Sequence, residues 1–302
     1  MRIHFFIWVL LFLVSCTKKE IRISSDIQSP RFMFQNGVGL NLESAGCSIL
    51  DLGGAGRMCE RVRGENPDLL FQVGPAFSFL IPKDVSYEKQ DGLRRALIKV
   101  WNAAGVSFYS VDAADLSPGL EAFTRQLKSR SFAFLSTNLR DKSGKSPFQL
   151  SHKVFWKNHL FIFLSFSSPQ RLSDSKDWQA LTFKDALAEL GPLLNENPSA
   201  QLMILGALGP LQREELSKLL GRPAYFVGGA LEEENSTEWS PFGFGAFWGK
   251  AVDLGRGMGT IQWNSAPSGE LTSQFSSKGL RKDLDAANQC TKIINEVFGS
   301  SR

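Results

Sequence analysis

The stretch Gly53-Gly54-Ala55-Gly56-Arg57-Met58-Cys59-Glu60-Arg61-Val62-Arg63-Gly64-Glu65-Asn66-Pro67-Asp68-Leu69-Leu70-Phe71-Gln72-Val73 sets a helix directly before a buried strand. Gly56 to Gly64 reads as the helix and Asp68 to Val73 as the strand. The alternation continues outward. Ile21 to Ser25 is a short alternating strand upstream. Downstream, Leu93, Leu97, Trp101 and Ala104 fall at helical spacing, and Gly105 stops that helix. Val106 to Val111 predicts a strand, Leu120 to Arg130 a helix, and Phe132 to Ser136 another strand. Val154-Phe155-Trp156 and Leu160 to Phe166 flank Lys157-Asn158-His159 as a hairpin. Asp185 to Asn195 and Leu211 to Leu220 read as helices. Leu202 to Leu205 reads as a strand, as does Tyr225-Phe226-Val227, which ends at Gly228-Gly229. Phe242 to Trp263 predicts two strands of a meander, Ser265 to Ser277 a Ser-rich linker, and Leu280 to Val297 a closing helix. Such alternation predicts an α/β domain whose helices cover mostly buried sheets.

Composition agrees with a folded protein: 302 residues, 43% hydrophobic, 21% charged and 11% aromatic. Net charge is +4, from 34 Lys+Arg against 30 Asp+Glu scattered along the chain. No concentrated basic stripe appears, so nucleic acid is not an expected partner. Three histidines leave little material for a multi-histidine metal centre.

The N-terminus speaks to location. A short basic start, Met1-Arg2-Ile3-His4, precedes ten apolar residues from Phe5 to Val14. Ten helical residues span roughly half of a ~30 Å bilayer core, so the run reads as a secretory signal and not as an anchor. Leu13-Val14-Ser15-Cys16 then matches the lipobox of bacterial lipoproteins, in which the cysteine is lipidated and the peptide cut before it. The expected organisation is a signal peptide over 1–15, a lipidated Cys16 and tether over 16–22, and a domain over 23–264. A Ser-rich linker and helix follow over 265–302. The expected partner is the membrane, through Cys16, and the expected place is the bacterial envelope, outside the cytoplasm. There Cys47 and Cys59 are a candidate disulfide, two buried thiols being the alternative, and Cys290 is left over.

Several segments, in this order, resemble the calcineurin-like metallophosphoesterases, in particular the periplasmic 5'-nucleotidase branch. Ile23-Ser24-Ser25-Asp26-Ile27-Gln28 sits where that family carries Asn-Asp-Leu-His. Gly53-Gly54-Ala55-Gly56-Arg57 resembles the Gly-Gly-x-Ala-Arg that opens its first helix, and Asn66-Pro67-Asp68-Leu69-Leu70 the lead into its second strand. Asn102-Ala103-Ala104-Gly105, Gly119-Leu120-Glu121-Ala122-Phe123, Leu135-Ser136-Thr137-Asn138-Leu139 and Tyr225-Phe226-Val227-Gly228-Gly229 resemble later motifs. The resemblance implies a single-domain, four-layer α-β-β-α sandwich. It also implies two-metal hydrolysis, with two ions bridged by a carboxylate and a hydroxide generated from bound water.

The ligands that this chemistry needs are largely missing. Asp26 matches the first ligand position, but the paired His is Gln28, and the bridging Asp after Gly74 is Pro75. The Asn-His-Glu positions fall on Ala113, Ala114 and Asp115, the Ser-His on Gly206-Ala207, and the Gly-His-x-His on Gly229-Ala230-Leu231-Glu232. Asp26, Asp112, Asp115 and Glu232 remain as candidates for one hard divalent cation. No other cofactor is expected. That branch also carries a second, base-gripping domain, where this sequence runs into a single predicted helix, so base specificity is not carried over.

The expected function is therefore a non-catalytic binding or scaffold protein of the envelope, taking another protein or a small ligand. The alternative is a residual metal-dependent phosphoesterase, and a third reading is a two-lobed transport-type binding protein. Gly255-Arg256-Gly257-Met258-Gly259 precedes a strand, so it fails the dinucleotide test. Pro241 to Trp248 carries more aromatics than one buried face needs, so part of it is expected at the surface.

Overall fold

Helix α1 (Ala55–Glu65) follows Gly54, whose φ of 95° only glycine adopts freely, and it ends at Asn66 in the left-handed region. Pro67 cannot continue the helix, and β3 (Leu69–Val73) is buried along its whole length. The computed structural model describes residues 20–37, 54–77, 87–116, 119, 123, 130–172, 175–229, 236–252, 256–284 and 288–299. The expected signal peptide, Cys16, Cys47, Glu232 and nearly all of the expected helix from Leu120 to Arg130 lie outside them. Before α1 come β1 (Ile21–Ile23) and β2 (Arg31–Asn36). After β3 come α2 (Tyr87–Ala104), β4 (Phe108–Ser110), β5 (Ala133–Leu135), β6 (Leu139–Asp141), β7 (His152–Trp156), β8 (His159–Ser165) and β9 (Trp178–Ala180). The chain continues through α3 (Phe183–Glu189), α4 (Gly191–Glu196), β10 (Gln201–Leu205), α5 (Pro210–Leu220) and β11 (Ala224–Val227). It closes with β12 (Ser240–Phe242), β13 (Ala246–Gly249), β14 (Gly257–Ser265), β15 (Leu271–Gly279) and α6 (Gln289–Gly299).

Two large sheets face each other. One has the order β15-β14-β2-β3-β4-β5, with β2 to β5 parallel, and the other β1-β7-β8-β10-β11-β13-β12, with β8, β10, β11 and β13 parallel. Side chains alternate across each strand, so each sheet has an inner and an outer face. The inner faces enclose Phe32, Phe34, Phe71, Phe108, Phe161, Phe163 and Trp263. The outer face of the six-stranded sheet packs on α1, α2 and α6 through Met58, Leu97, Trp101 and Ile294. That of the seven-stranded sheet packs on α3 and α5 through Phe183, Ala186 and Leu216. This is the expected four-layer α-β-β-α sandwich. Both sheets share one interior, so the two-lobed reading does not hold.

Local differences have physical causes. Strand β2 was not read from the sequence, although it begins the parallel unit. The Ser-rich segment is no linker: β15 pairs with β14 from Gly279 to Leu271 as an edge strand, with Phe275 turned inward and Thr272 and Gln274 outward. The single helix expected from Asp185 to Asn195 breaks at Leu190, because Gly191-Pro192 starts a new one. The expected meander divides, since β13 joins the seven-stranded sheet and β14 the other. The closing helix starts later than expected, at Gln289. In the aromatic stretch Phe244 is 54% exposed at the β12–β13 turn, while Phe242, Phe247 and Trp248 are half-buried.

The cysteine pairing also differs. Cys59 is bonded to Cys290, with Cα atoms 6.4 Å apart, and not to Cys47. Helix α1 turns Cys59 toward α6, and Gly56 presses so close to Thr291 that a Cβ there would meet its hydroxyl at 2.6 Å. Proximity in the chain suggested the wrong partner; helix packing decides it. Among the described residues no helix is long and apolar enough to cross a membrane.

Phe71 lies against Phe34, Phe108 and Phe163, at centroid distances of 5.4, 5.2 and 5.5 Å. Phe71→Ala is expected to lower unfolding stability by about 3–5 kcal/mol, read from denaturant midpoints. A loss under about 1 kcal/mol would mean that the sheets do not meet on this ring.

Candidate functional site

In the family that the sequence resembles, ligands come from loops at strand ends. Here β2, β3, β4, β8, β10 and β11 end together. Ser110 at the end of β4 and Ser165 at the end of β8 share a hydrogen bond of 2.7 Å between hydroxyls, tying the two sheets. Ser167 accepts from the Ala113 amide at 3.1 Å and donates to the Val111 carbonyl at 3.3 Å. Asn138 accepts from the Ser167 amide at 3.0 Å and donates to the Ser167 carbonyl at 2.8 Å. All four side chains are buried.

The backbones are as close as the side chains are small. A Cβ on Gly228 (φ 98°) would lie 2.8 Å from the Gly206 carbonyl oxygen and 2.9 Å from Asn36 Oδ1 and Val73 Cγ1. Lys250, fully buried directly after β13, stands at this same end of its sheet.

Asp112 and Asp115 come here as expected, but in structural roles. Asp115 Oδ1 accepts from the amides of Ala76 and Phe77, at 2.7 Å each. Its Oδ2 accepts from the Asp112 amide at 2.9 Å and from the Tyr109 hydroxyl. Four donors fill the accepting capacity of one carboxylate. Asp112 Oδ1 caps its own turn by accepting from the Ala114 amide at 2.9 Å.

Asp26 is elsewhere. Ile23 pairs with Trp156, which pairs with His159 at the start of β8, and Ser165 is at its end. The six-residue step puts Asp26 about 20 Å from Asp112, at the opposite pole. It is exposed, in a turn with Ser24. The strand end that precedes α1 is Asn36-Gly37 on β2, so the first family motif was matched to the wrong strand. The set Asp26, Asp112, Asp115 and Glu232 therefore does not converge: Asp26 is remote, and Glu232 lies outside the described residues.

The histidines do not complete a metal site either. His152 is buried between the sheets, its ring 4.9 Å from Phe108 and its Nδ1 3.2 Å from Gln149 Oε1. His159 lies at the far pole against Trp156. Among the described residues no three of His, Cys, Asp and Glu cluster as metal ligands. Among the described residues, hydroxyls, amides, the saturated Asp115, the turn-capping Asp112 and a buried lysine do not fit a pair of divalent ions. Sequence reading missed Ser110, Ser165, Ser167 and Lys250; polar residues just after buried apolar runs were the available signal.

Two buried groups here titrate in opposite directions. Burial and then the Asp112 charge raise Asp115 from 3.8 to about 6, against the lowering effect of its donors. Burial lowers His152 from 6.5 to about 4. The folded state thus binds the Asp115 proton more tightly, and stability from this group falls as pH rises from 3.8 to 6. For His152 the unfolded state binds the proton more tightly, so stability rises with pH from 4 to 6.5. Each effect reaches roughly 3 kcal/mol, so they nearly cancel. In melts from pH 4 to 6, His152→Phe is expected to lose stability as pH rises, and Asp115→Asn to gain it. Identical slopes in both variants would refute these assignments.

The sequence matches no family model and no curated protein. The fold does have counterparts among solved structures. A 5'-nucleotidase precursor from Thermus thermophilus superposes with a TM-score of 0.70 at 13% identity, over 90% of this chain and 59% of that one. A calcineurin-like phosphoesterase from Bacillus subtilis gives 0.67 at 14% identity, over 91% and 98%. The NAD nucleotidase of Haemophilus influenzae gives 0.64 at 11%, over 90% and 56%. The chain thus spans less than two thirds of either nucleotidase. At such identities the likeness is one of architecture, and the chain has the two-sheet, helix-flanked fold of calcineurin-like metallophosphoesterase structures.

Proposed function

We propose that this protein is a lipid-anchored envelope protein that uses a metallophosphoesterase-type sandwich as a non-catalytic binding scaffold. The observation that carries the reading is the closure of the strand ends by Ser110, Ser165, Ser167 and Asn138, with Asp115 saturated by backbone and tyrosine donors. Two-metal hydrolysis requires paired ions with an open position for water. Among the described residues the strand ends offer a single imidazole, His152, and the position of the bridging carboxylate is Pro75. The lipobox ending at Cys16 supports the anchor, and the Cys59–Cys290 disulfide is of the kind that persists in an oxidising compartment.

Elemental analysis tests the loss of chemistry. The chain from Thr17 onward is incubated with Mn²⁺, Zn²⁺ and Ca²⁺, desalted and measured. No stoichiometric ion is expected, and no metal-dependent release from a generic phosphodiester. One or two retained ions per chain would overturn the non-catalytic reading. The anchor is tested separately, by the mass of the mature N-terminus: an acylated Cys16 is expected, and an unmodified N-terminus would refute it.

A further inference from the structure

The pole opposite the strand ends carries a cleft of about 700 Å³. Three tight connections wall it: the β7–β8 turn at Lys157-Asn158, the β14–β15 turn at Gly269, and the link from Asn197 to Ala200 between α4 and β10. Each wall is held by the fold. Arg222 donates to the carbonyls of Asn197 and Ala200, and the Ala266 amide donates to the Glu270 carbonyl at 2.8 Å. Lys157 has φ 51°, an uncommon conformation outside glycine, and its ammonium lies 4.8 Å from the Trp156 ring centroid. His159 stacks on the same ring at 5.5 Å, and its Nε2 is 3.2 Å from the Ser265 hydroxyl, so the imidazole braces the two sheets. A site built this way needs little ordering when a ligand arrives.

The lining chemistry narrows the ligand. Among the described residues, the side chains of Asn158, Glu196, Ser199 and Gln201 spend no hydrogen-bonding capacity inside the protein. They present amide, carboxylate and hydroxyl groups, donors mixed with acceptors, beside the apolar surfaces of Leu160 and Leu271. Burial and the neighbouring Lys157 both lower the His159 pKa, which favours its neutral ring, and with Nε2 engaged by Ser265 only Nδ1 is left uncommitted. Lys157 and Glu196 balance in charge. A phosphorylated or sulfated ligand calls for a surplus of cations. A peptide added as a strand calls for a free sheet edge, whereas this cleft is walled by turns and a helix-to-strand link. A neutral ring with a hydroxylated rim and C–H faces satisfies both halves of the lining. We propose that the cleft binds a neutral or N-acetylated saccharide. The proposal does not rest on loss of hydrolysis at the other pole, since an active enzyme could carry the same cleft.

The test uses the full-length chain in mild detergent. It is applied to an oligosaccharide array of neutral hexose, N-acetylhexosamine and acidic glycans, and each hit is titrated by calorimetry. Binding to a neutral or N-acetylated glycan is expected. Asn158→Ala combined with Gln201→Ala should weaken it about tenfold or more, at unchanged melting temperature. Neither side chain is buried, so truncation leaves the core intact. No glycan binding, binding to the acidic class alone, or binding that the double variant leaves unchanged would overturn the proposal.

Discussion

The stack of rings between the sheets is the constraint from which the rest of the structure follows. Phe34, Phe71 and Phe108 stand side by side on three parallel strands in register, with neighbouring rings 14° and 16° from coplanar. Phe163 enters edgewise from the facing sheet, 5.5 Å from Phe71 and 4.9 Å from Phe108. A slip of one residue in β3 would turn Phe71 toward the helices and bring Leu70 and Gln72 inward. Gly259 on β14 is part of the same device, because the Phe34 ring occupies the place where a side chain at 259 would begin. Register, sheet order and separation are therefore fixed by apolar contacts that involve no ligand loop.

That core tapers toward the strand ends. On the inner face, Phe71 is followed by Val73, Phe108 by Ser110, Phe163 by Ser165 and Phe34 by Asn36. As the side chains shrink, the sheets come within hydrogen-bonding distance, and the Ser110–Ser165 contact closes the gap. A buried hydroxyl left without a partner would cost about 1–3 kcal/mol, so pairing across the gap is the stable solution. The two-sheet architecture thus rests on the ring stack and not on the residues of the strand ends, because fold and site draw on different residues.

Much of this was legible in the sequence, for a definable reason. Segments with a strong apolar period, such as α1, β3, the β7–β8 hairpin, β10 and β11, were read where they lie. Strand β2 was missed although Phe32 and Phe34 anchor the inner face, because Asp26 drew the first family motif one strand too early. Strand β15 was missed because an edge strand with one wet face needs few apolar residues, and Phe275 alone marks its inner side. The disulfide was misassigned because spacing along the chain says little about which helices meet. For the site, residue type was legible and role was not: the carboxylates of Asp112 and Asp115 were visible, but apart from the Tyr109 hydroxyl their donors come from the backbone, which leaves no mark in the sequence.

Asp115 shows how a position that looks catalytic becomes structural. Its side chain is fully buried beside Asp112, a setting that disfavours its charge. The opposing contribution is the set of donors, two amides from the segment after Pro75, one from Asp112, and the Tyr109 hydroxyl. An asparagine would keep one acceptor oxygen and turn an NH₂ group toward donors, so only a carboxylate serves all four. Two of these bonds, from the Ala76 and Phe77 amides, hold the Gly74-to-Phe77 segment against the 3-10 turn at Ala113–Leu116, and the other two tie that turn to Tyr109 and Asp112. An ion bound there would have to displace those donors and leave buried amides unpaired. The fold thus uses the full hydrogen-bonding capacity of this carboxylate.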